Sequence, residues 1–326
     1  MTLLEQIRQP IDTALRECRA YMRSRMTADD PFVQSMLDYV IDNMGKGVRP
    51  LLAILASRLH SSQPLGERTN LAAMLVEMIH TASLVHDDVI DESPMRRGNP
   101  SVNSRWGANS AVLCGDYILA TAFDAGMTSG HYDIPTYIIS AMRELCCGEL
   151  VQNECNRTST MSREVYLDII NKKTAVLLST SAAVGAVAVG ASEECVTRMA
   201  EFGTALGMAF QIKDDILDYD VDAQTGKPSC NDLREGKITL PLLDVLERAE
   251  SSERERLMTL LKAARMDDDA VEQLRAEVVV RGGLQAAERL MDDYMARARE
   301  ILTAYPASEV RRSLELLCDF VAARNH

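Results

Sequence analysis

Two long apolar segments of this chain each close on the pentad Asp-Asp-x-x-Asp, and this limits the available folds more than any other feature. The first runs from Leu71 to Val85 and ends on His86-Asp87-Asp88-Val89-Ile90-Asp91-Glu92; the second ends on Phe210-Gln211-Ile212-Lys213-Asp214-Asp215-Ile216-Leu217-Asp218. Apolar residues recur at helical spacing in both, so both are predicted helices. Asp87, Asp88 and Asp91 then project from one side of the first. Pro94 disfavours helical backbone at Ser93, which places that helix's end near Glu92. Carboxylates at a helix C-terminus oppose the macrodipole at roughly 0.3–1 kcal/mol each, and aspartate is a poor helix former. Something must offset this cost, and a divalent cation is the natural candidate. One such pentad is ordinary at a solvated helix end; two, each closing an apolar helix, are not. Carboxylates facing one another across a cleft suit Mg²⁺, which keeps waters, takes one or two protein carboxylates and completes its octahedron on phosphate oxygens.

The rest of the chain reads as helix with no strand alternation. Predicted helices cover Leu3–Arg25, Phe32–Asn43, Leu51–His60, Ala108–Thr128, Ile134–Asn156, Ser162–Gly190 and Glu193–Tyr219, followed by shorter amphipathic ones. Met44-Gly45-Lys46-Gly47-Val48-Arg49-Pro50 is a glycine-broken turn, Pro94–Pro100 a loop, and Asp222–Asp232 a polar loop. No linker or change of composition marks a boundary, so the chain is read as one all-α domain over residues 1–326, with its core between Leu71 and Tyr219. Forty-seven per cent hydrophobic residues supply that core.

A net charge of −13 argues against a nucleic-acid surface or adhesion to anionic lipid. The eight cysteines include no C-x-x-C pair and read as reduced thiols of a cytoplasmic protein. The N-terminus lacks the pattern of a signal peptide. The longest apolar run, Ala182–Ala191, is too short to span a bilayer. In so acidic a chain, cations near the motifs are informative. Arg96 and Arg97 follow the first acid helix, Lys46 and Arg49 lie in the glycine turn, and Lys172-Lys173-Thr174 sits inside a helix. Lys227 and Lys237 follow the second motif, and His80 lies two turns before Asp87 on the same side. Each alone is an ordinary surface or core residue. Together they suggest a cleft whose carboxylates hold metal while Arg forks and Lys point charges hold phosphate oxygens.

These motifs, in this order and over most of the chain, resemble the trans-isoprenyl diphosphate synthases of the polyprenyl synthetase family. The resemblance rests on Asp87-Asp88-Val89-Ile90-Asp91 with Arg96-Arg97-Gly98, on Gln211 with Asp214-Asp215-Ile216-Leu217-Asp218, on His80, on Lys173-Thr174 and on Gly236-Lys237-Ile238-Thr239-Leu240-Pro241. The family's G-G-K-R-x-R-P turn is kept in part: Met44 and Gly47 replace its first Gly and first Arg, while Lys46, Arg49 and Pro50 remain. The resemblance implies an isoprenoid synthase-type helical bundle around a large central cavity, usually a homodimer, using three Mg²⁺ ions. It implies that Asp87, Asp88, Asp91, Asp214, Asp215 and Asp218 are metal ligands. Arg96, Lys173, Thr174, Gln211, Lys227 and Lys237 would meet the allylic diphosphate, and Lys46, Arg49, His80 and Arg97 isopentenyl diphosphate.

Chain length follows from what lies below Asp87. Ala82 and Ser83, one turn before it, are small, whereas in the family bulky aromatics there stop growth early. Deeper floor candidates are Leu119, Phe123 and Met127. The expected product is a long all-trans polyprenyl diphosphate, as used for quinone side chains. Other readings stay open: a geranylgeranyl or farnesyl diphosphate synthase, a non-catalytic partner subunit, a terpene cyclase, or a structural bundle. A partner subunit tends to lose one aspartate motif, a cyclase has no use for the Lys46, Arg49 and His80 pocket, and a bundle leaves the paired acids unexplained.

Overall fold

The computed structural model describes residues 1–158, 160–220 and 230–324, and these are helical nearly throughout. Helices α1 (Leu3–Arg8), α2 (Asp12–Arg25), α3 (Pro31–Asp42), α4 (Val48–His60) and α5 (Glu67–Ile90) precede a small antiparallel hairpin, β1 (Met95–Arg96) with β2 (Asn99–Pro100). Then come α6 (Val102–Trp106), α7 (Ala108–Thr128), α8 (Asp133–Thr158), α9 (Arg163–Ile170), α10 (Val176–Ala188), α11 (Glu193–Asp218) and α12 (Asn231–Arg234). The chain continues with α13 (Leu240–Arg248), α14 (Ser251–Ala263), α15 (Asp268–Val280), α16 (Gly283–Leu302) and α17 (Glu309–Ala322). No helix among the described residues is long and apolar enough to cross a membrane.

The chain forms two compact units. The first holds Met1–Met142, Leu177–Gly203 and Tyr305–Leu316. Its axis is α5, every residue of which from Leu71 to Ile79 is buried. A helix apolar all round needs neighbours all round, and α2, α4 and α7 supply them. On α7, Ala111, Cys114, Ile118, Ala122 and Ala125 form the stripe at spacings of three and four that meets Met74, Met78, Ile79, Ala82 and Val85 in one core. Each large side chain buried there contributes about 1.5–3 kcal/mol. The second unit holds Arg143–Val176, Thr204–Ala304 and Leu317–His326. Within it α13 packs on α16 and α9, and α14 on α15. Arg163 of α9 binds Asp244 and Glu247 of α13 at 2.8 and 2.9 Å.

The structure corrects four sequence expectations. The first helix is interrupted at Gln9–Ile11 by a 3-10 turn, because Pro10 has no N–H to donate. Helix α4 starts at Val48 rather than Leu51; Pro50 is accepted in the first turn, where backbone N–H groups lack intrahelical partners anyway. The stretch Pro94–Pro100 is a hairpin whose central residues, Arg97 and Gly98, both have positive φ, 53° and 80°, the backbone of a type I′ turn. The predicted helix Ser162–Gly190 is divided by a π-helical turn at Asn171–Ala175, which the apolar pattern did not register. The predicted polar loop lies largely outside the described residues, and Lys227 with it.

Candidate active site

The first acid motif ends α5. Asp91 caps the helix, its N–H bonded to Asp87 O at 2.8 Å, and Glu92 turns left-handed (φ 49°). The three acids differ in burial: Asp87 is half-buried, Asp91 exposed, and Asp88 only 3% exposed. Arg96, carried on β1, donates to Asp88 Oδ1 through Nε at 2.9 Å and through Nη2. The hairpin is fastened by Ser101 Oγ to Ser93 O at 2.7 Å and by Tyr39 OH to Pro100 O at 2.6 Å. A cation predicted to hold phosphate and a carboxylate predicted to hold metal are thus paired with each other.

The glycine turn brings further cations to the same unit. Gly47 takes φ +63° as N-cap of α4, a conformation open to glycine at little cost. Arg49 follows in the first turn. Gly45 lies flat against Arg97: a Cβ there would stand 2.4 Å from the guanidinium carbon. Arg97 Nη1 donates to Asn43 O at 3.3 Å. His80 is held well below the usual histidine range by burial and then by Arg49, Arg97 and Arg96, so it is neutral at pH 7. Burial likewise lowers Arg49 to about 10 despite the opposing charge of Glu77. Glu77, one turn before His80 and 6% exposed, is a group that sequence reasoning passed over. Its Oε2 and Arg49 Nε are both buried without a hydrogen-bond partner. An acid inside an otherwise apolar run was the available signal. Glu77, Lys46, Arg8 and Arg19 line a cavity of about 300 Å³ beside the turn.

The second motif ends α11 in the other unit. Asp214 Oδ1 lies 2.8 Å from Arg324 Nη1, and that guanidinium stacks 4.1 Å from the Phe210 ring centroid. Burial still raises Asp214 to about 6. Asp215, 3% exposed, is held well above the usual carboxylate range by burial and then by Asp232. Its Oδ2 accepts from Tyr166 OH at 2.6 Å and its Oδ1 from Gln211 Nε2 at 3.0 Å. Thr174 Oγ1 donates to Gln211 Oε1 at 2.7 Å. Gln211 and Thr174, predicted to meet diphosphate, are here partners of an acid. Asp218 accepts from the backbone N–H groups of Asn231 and Asp232, both at 3.0 Å, so it pins the start of α12. Lys173 reaches Gln152 and Glu149, each at 2.5 Å, and Lys237 pairs with Glu235. Lys173, Gln211, Asp215 and Lys237 line one cavity of about 150 Å³ with Tyr166, a residue the sequence reading missed.

Among the described residues, no three His, Cys, Asp or Glu side chains are gathered as a ligand set. The donor chemistry still fits a hard cation: carboxylate oxygens alone, with Asp214 and Asp215 raised first by burial and then by Asp232. Mg²⁺ takes few protein carboxylates per ion, so a closed cage is not needed. For chain length, Ala82 is wholly buried and Ser83 half-buried, with Oγ bonded to His80 O at 2.9 Å. Leu119 and Phe123 pack on the same core. Met127 is 57% exposed.

The structure is thus an all-α scaffold with two acid-bearing helix ends, each beside its own cations. A model of the polyprenyl synthetase family matches residues 30–278, and the chain belongs to that family. It is 34% identical over 321 residues to the nonaprenyl diphosphate synthase of Mycobacterium tuberculosis, covering 98% of this chain and 92% of that one. Its structure matches that of a decaprenyl diphosphate synthase from Rhodobacter capsulatus with TM-score 0.91, at 32% identity over 99% of both chains. It also matches a polyprenyl synthase from Caulobacter crescentus, complexed with calcium and isoprenyl diphosphate, with TM-score 0.90 at 31% identity over 99% and 98%.

Proposed function

We propose that this chain is a Mg²⁺-dependent prenyltransferase. It adds isopentenyl diphosphate head to tail onto an allylic diphosphate such as farnesyl diphosphate. The product is a long-chain all-trans polyprenyl diphosphate, of the kind used for quinone side chains. The observation that carries this reading is the second unit's cavity, where a buried carboxylate, Asp215, stands with two lysines, Lys173 and Lys237. Such a site joins metal-holding and phosphate-holding chemistry. The calcium-bound Caulobacter relative supports a hard divalent cation.

Asp87, Asp88 and Asp91 would hold Mg²⁺, as would Asp214 and Asp215, three ions in all. Bound Mg²⁺ supplies positive charge that stabilises the leaving diphosphate more in the transition state than in the ground state. Asp218 would join these carboxylates through its remaining lone pairs while its two oxygens also hold the start of α12. Arg96, Lys173 and Lys237, with Lys227 from outside the described residues, bind the allylic diphosphate. Gln211 and Thr174 support it through Asp215. Lys46, Arg49 and Arg97 bind isopentenyl diphosphate by charge, and neutral His80 by hydrogen bonding. The allylic C–O bond breaks with its electron pair leaving on the diphosphate. The double bond of isopentenyl diphosphate attacks the allylic carbon, and a proton then passes to the departed diphosphate, so no protein base is assigned. Apolar walls keep water from the cation. The chain acts as one domain and, with Val112, Leu113 and Tyr117 exposed on α7, as a homodimer in the cytoplasm.

The test is product analysis. Protein is incubated with Mg²⁺, isopentenyl diphosphate and farnesyl diphosphate, and the dephosphorylated products are resolved by length. A ladder ending in one dominant long chain is expected. A stop at twenty carbons would replace the long-chain reading with a geranylgeranyl one, which relatives of similar identity also carry out by name. No elongation from any allylic primer would overturn the catalytic reading.

A further inference from the structure

Asp215 is the most enclosed acid of the second motif, and both its oxygens are taken by neutral donors. Tyr166 OH donates to Oδ2 at 2.6 Å, a short O–H···O bond. Gln211 Nε2 donates to Oδ1 at 3.0 Å, and its amide is oriented by Thr174, whose hydroxyl donates to the opposite end. Tyr166 is itself 3% exposed and lines the cavity that holds Asp215, Lys173 and Lys237. Three elements therefore converge on one carboxylate: α9 through Tyr166, the π-helical turn through Thr174, and α11 through Gln211.

The choice of donors matters. A lysine or arginine against Asp215 would orient the carboxylate but also cancel its charge, as Arg324 does in part at Asp214. A phenol and an amide fix the plane of the carboxylate and leave its negative charge for a cation. A carboxylate offers about four lone-pair positions, so two bonds leave room for a metal. Burial keeps the phenol protonated as a donor.

We propose that Tyr166 is a positioning residue of this enzyme, one jaw of a neutral clamp, with Gln211 and Thr174 as the other, that holds Asp215 in place to bind a divalent cation. The inference rests on the metal-dependent reading of the second motif. Hydrogen bonds behind a metal ligand commonly account for 10- to 100-fold in metal affinity or activity.

The experiment is calorimetric titration of Mg²⁺ into the intact protein with inorganic diphosphate present, for the parent, Tyr166→Phe and Asp215→Asn, with thermal unfolding in EDTA beside it. Tyr166→Phe is expected to weaken Mg²⁺ binding about 10-fold and to lower the metal-free melting temperature by only a few degrees, while KM for isopentenyl diphosphate stays as in the parent. Combined with Asp215→Asn it should add nothing further. Mg²⁺ affinity within two-fold of the parent in Tyr166→Phe would overturn the proposal, as would lost turnover with unaltered Mg²⁺ binding. If Asp215→Asn binds Mg²⁺ as the parent does, the metal reading of this half-site falls and the proposal with it. A loss in Asp215→Asn but not in Tyr166→Phe sinks the clamp alone. Should Tyr166→Phe fail to fold, Thr174→Val breaks the other jaw; it is expected to weaken Mg²⁺ binding several-fold, and unchanged affinity there overturns the clamp.

Discussion

Single atoms decide the proposed isopentenyl diphosphate pocket. The Arg97 guanidinium lies where a side chain at Gly45 would be, so Gly45→Ala must push it aside. The displaced group is the end of a flexible side chain, so the fold survives. We expect a melting temperature near that of the parent and a KM for isopentenyl diphosphate raised about 10-fold or more, the value of one charged hydrogen bond. Unchanged KM in steady-state assays would remove Arg97 from the pocket. His80 gives a pH signature. Its folded pKa is depressed, so the unfolded chain binds a proton that the folded chain refuses. Stability therefore falls as pH drops below the unfolded value of about 6.5, by up to about 1.4 kcal/mol per pH unit until the folded pKa is reached. Urea unfolding between pH 7.5 and 5.5 should show the parent losing more than His80→Gln. Parallel curves would exclude the neutral, buried imidazole.

At the scale of elements, the C-terminal end of the chain meets α11. Arg324 sits on Asp214, with a side chain 17% exposed, and would compete with a metal for that carboxylate. In Arg324→Gln we expect the metal-free protein to lose about 1–3 kcal/mol and Mg²⁺ to bind several-fold more tightly, since a competitor specific to the metal-free state is gone. Urea unfolding in EDTA and Mg²⁺ titration read the two effects, and weaker Mg²⁺ binding would contradict the competition. The α5–α7 pair carries the length prediction. Replacing Ala82, wholly buried one turn before Asp87, with Phe should shorten the longest product. It should also cost about 1–3 kcal/mol from overpacking. Product chromatography beside a melting curve separates these effects, and an unchanged product length would remove Ala82 from the elongation path. The π-helical turn at Asn171–Ala175 shows what periodicity leaves out. Its residues are as helix-compatible as their neighbours, and only packing reveals the wider turn that carries Lys173 and Thr174.

At the scale of the whole molecule, the exposed apolar face of α7 bears on assembly. Leu113 is 66% exposed and has Tyr117 one turn beyond it. Leu113→Asp is expected to shift a dimer toward monomer in sedimentation velocity, and a parent that sediments as a monomer would refute the homodimer. By itself the sequence determined the all-α class, the long helices to within a few residues, and both acid motifs with their flanking cations. Those follow from local rules: apolar spacing, proline's missing donor, and charge placed against a helix dipole. Only the tertiary structure decided which charges are already paired. Asp88 is tied to Arg96, Asp214 to Arg324 and Asp218 to the backbone of α12, while Asp215 is clamped by Tyr166. Partners as distant in sequence as Asp214 and Arg324 are set by packing between elements, which no local pattern encodes.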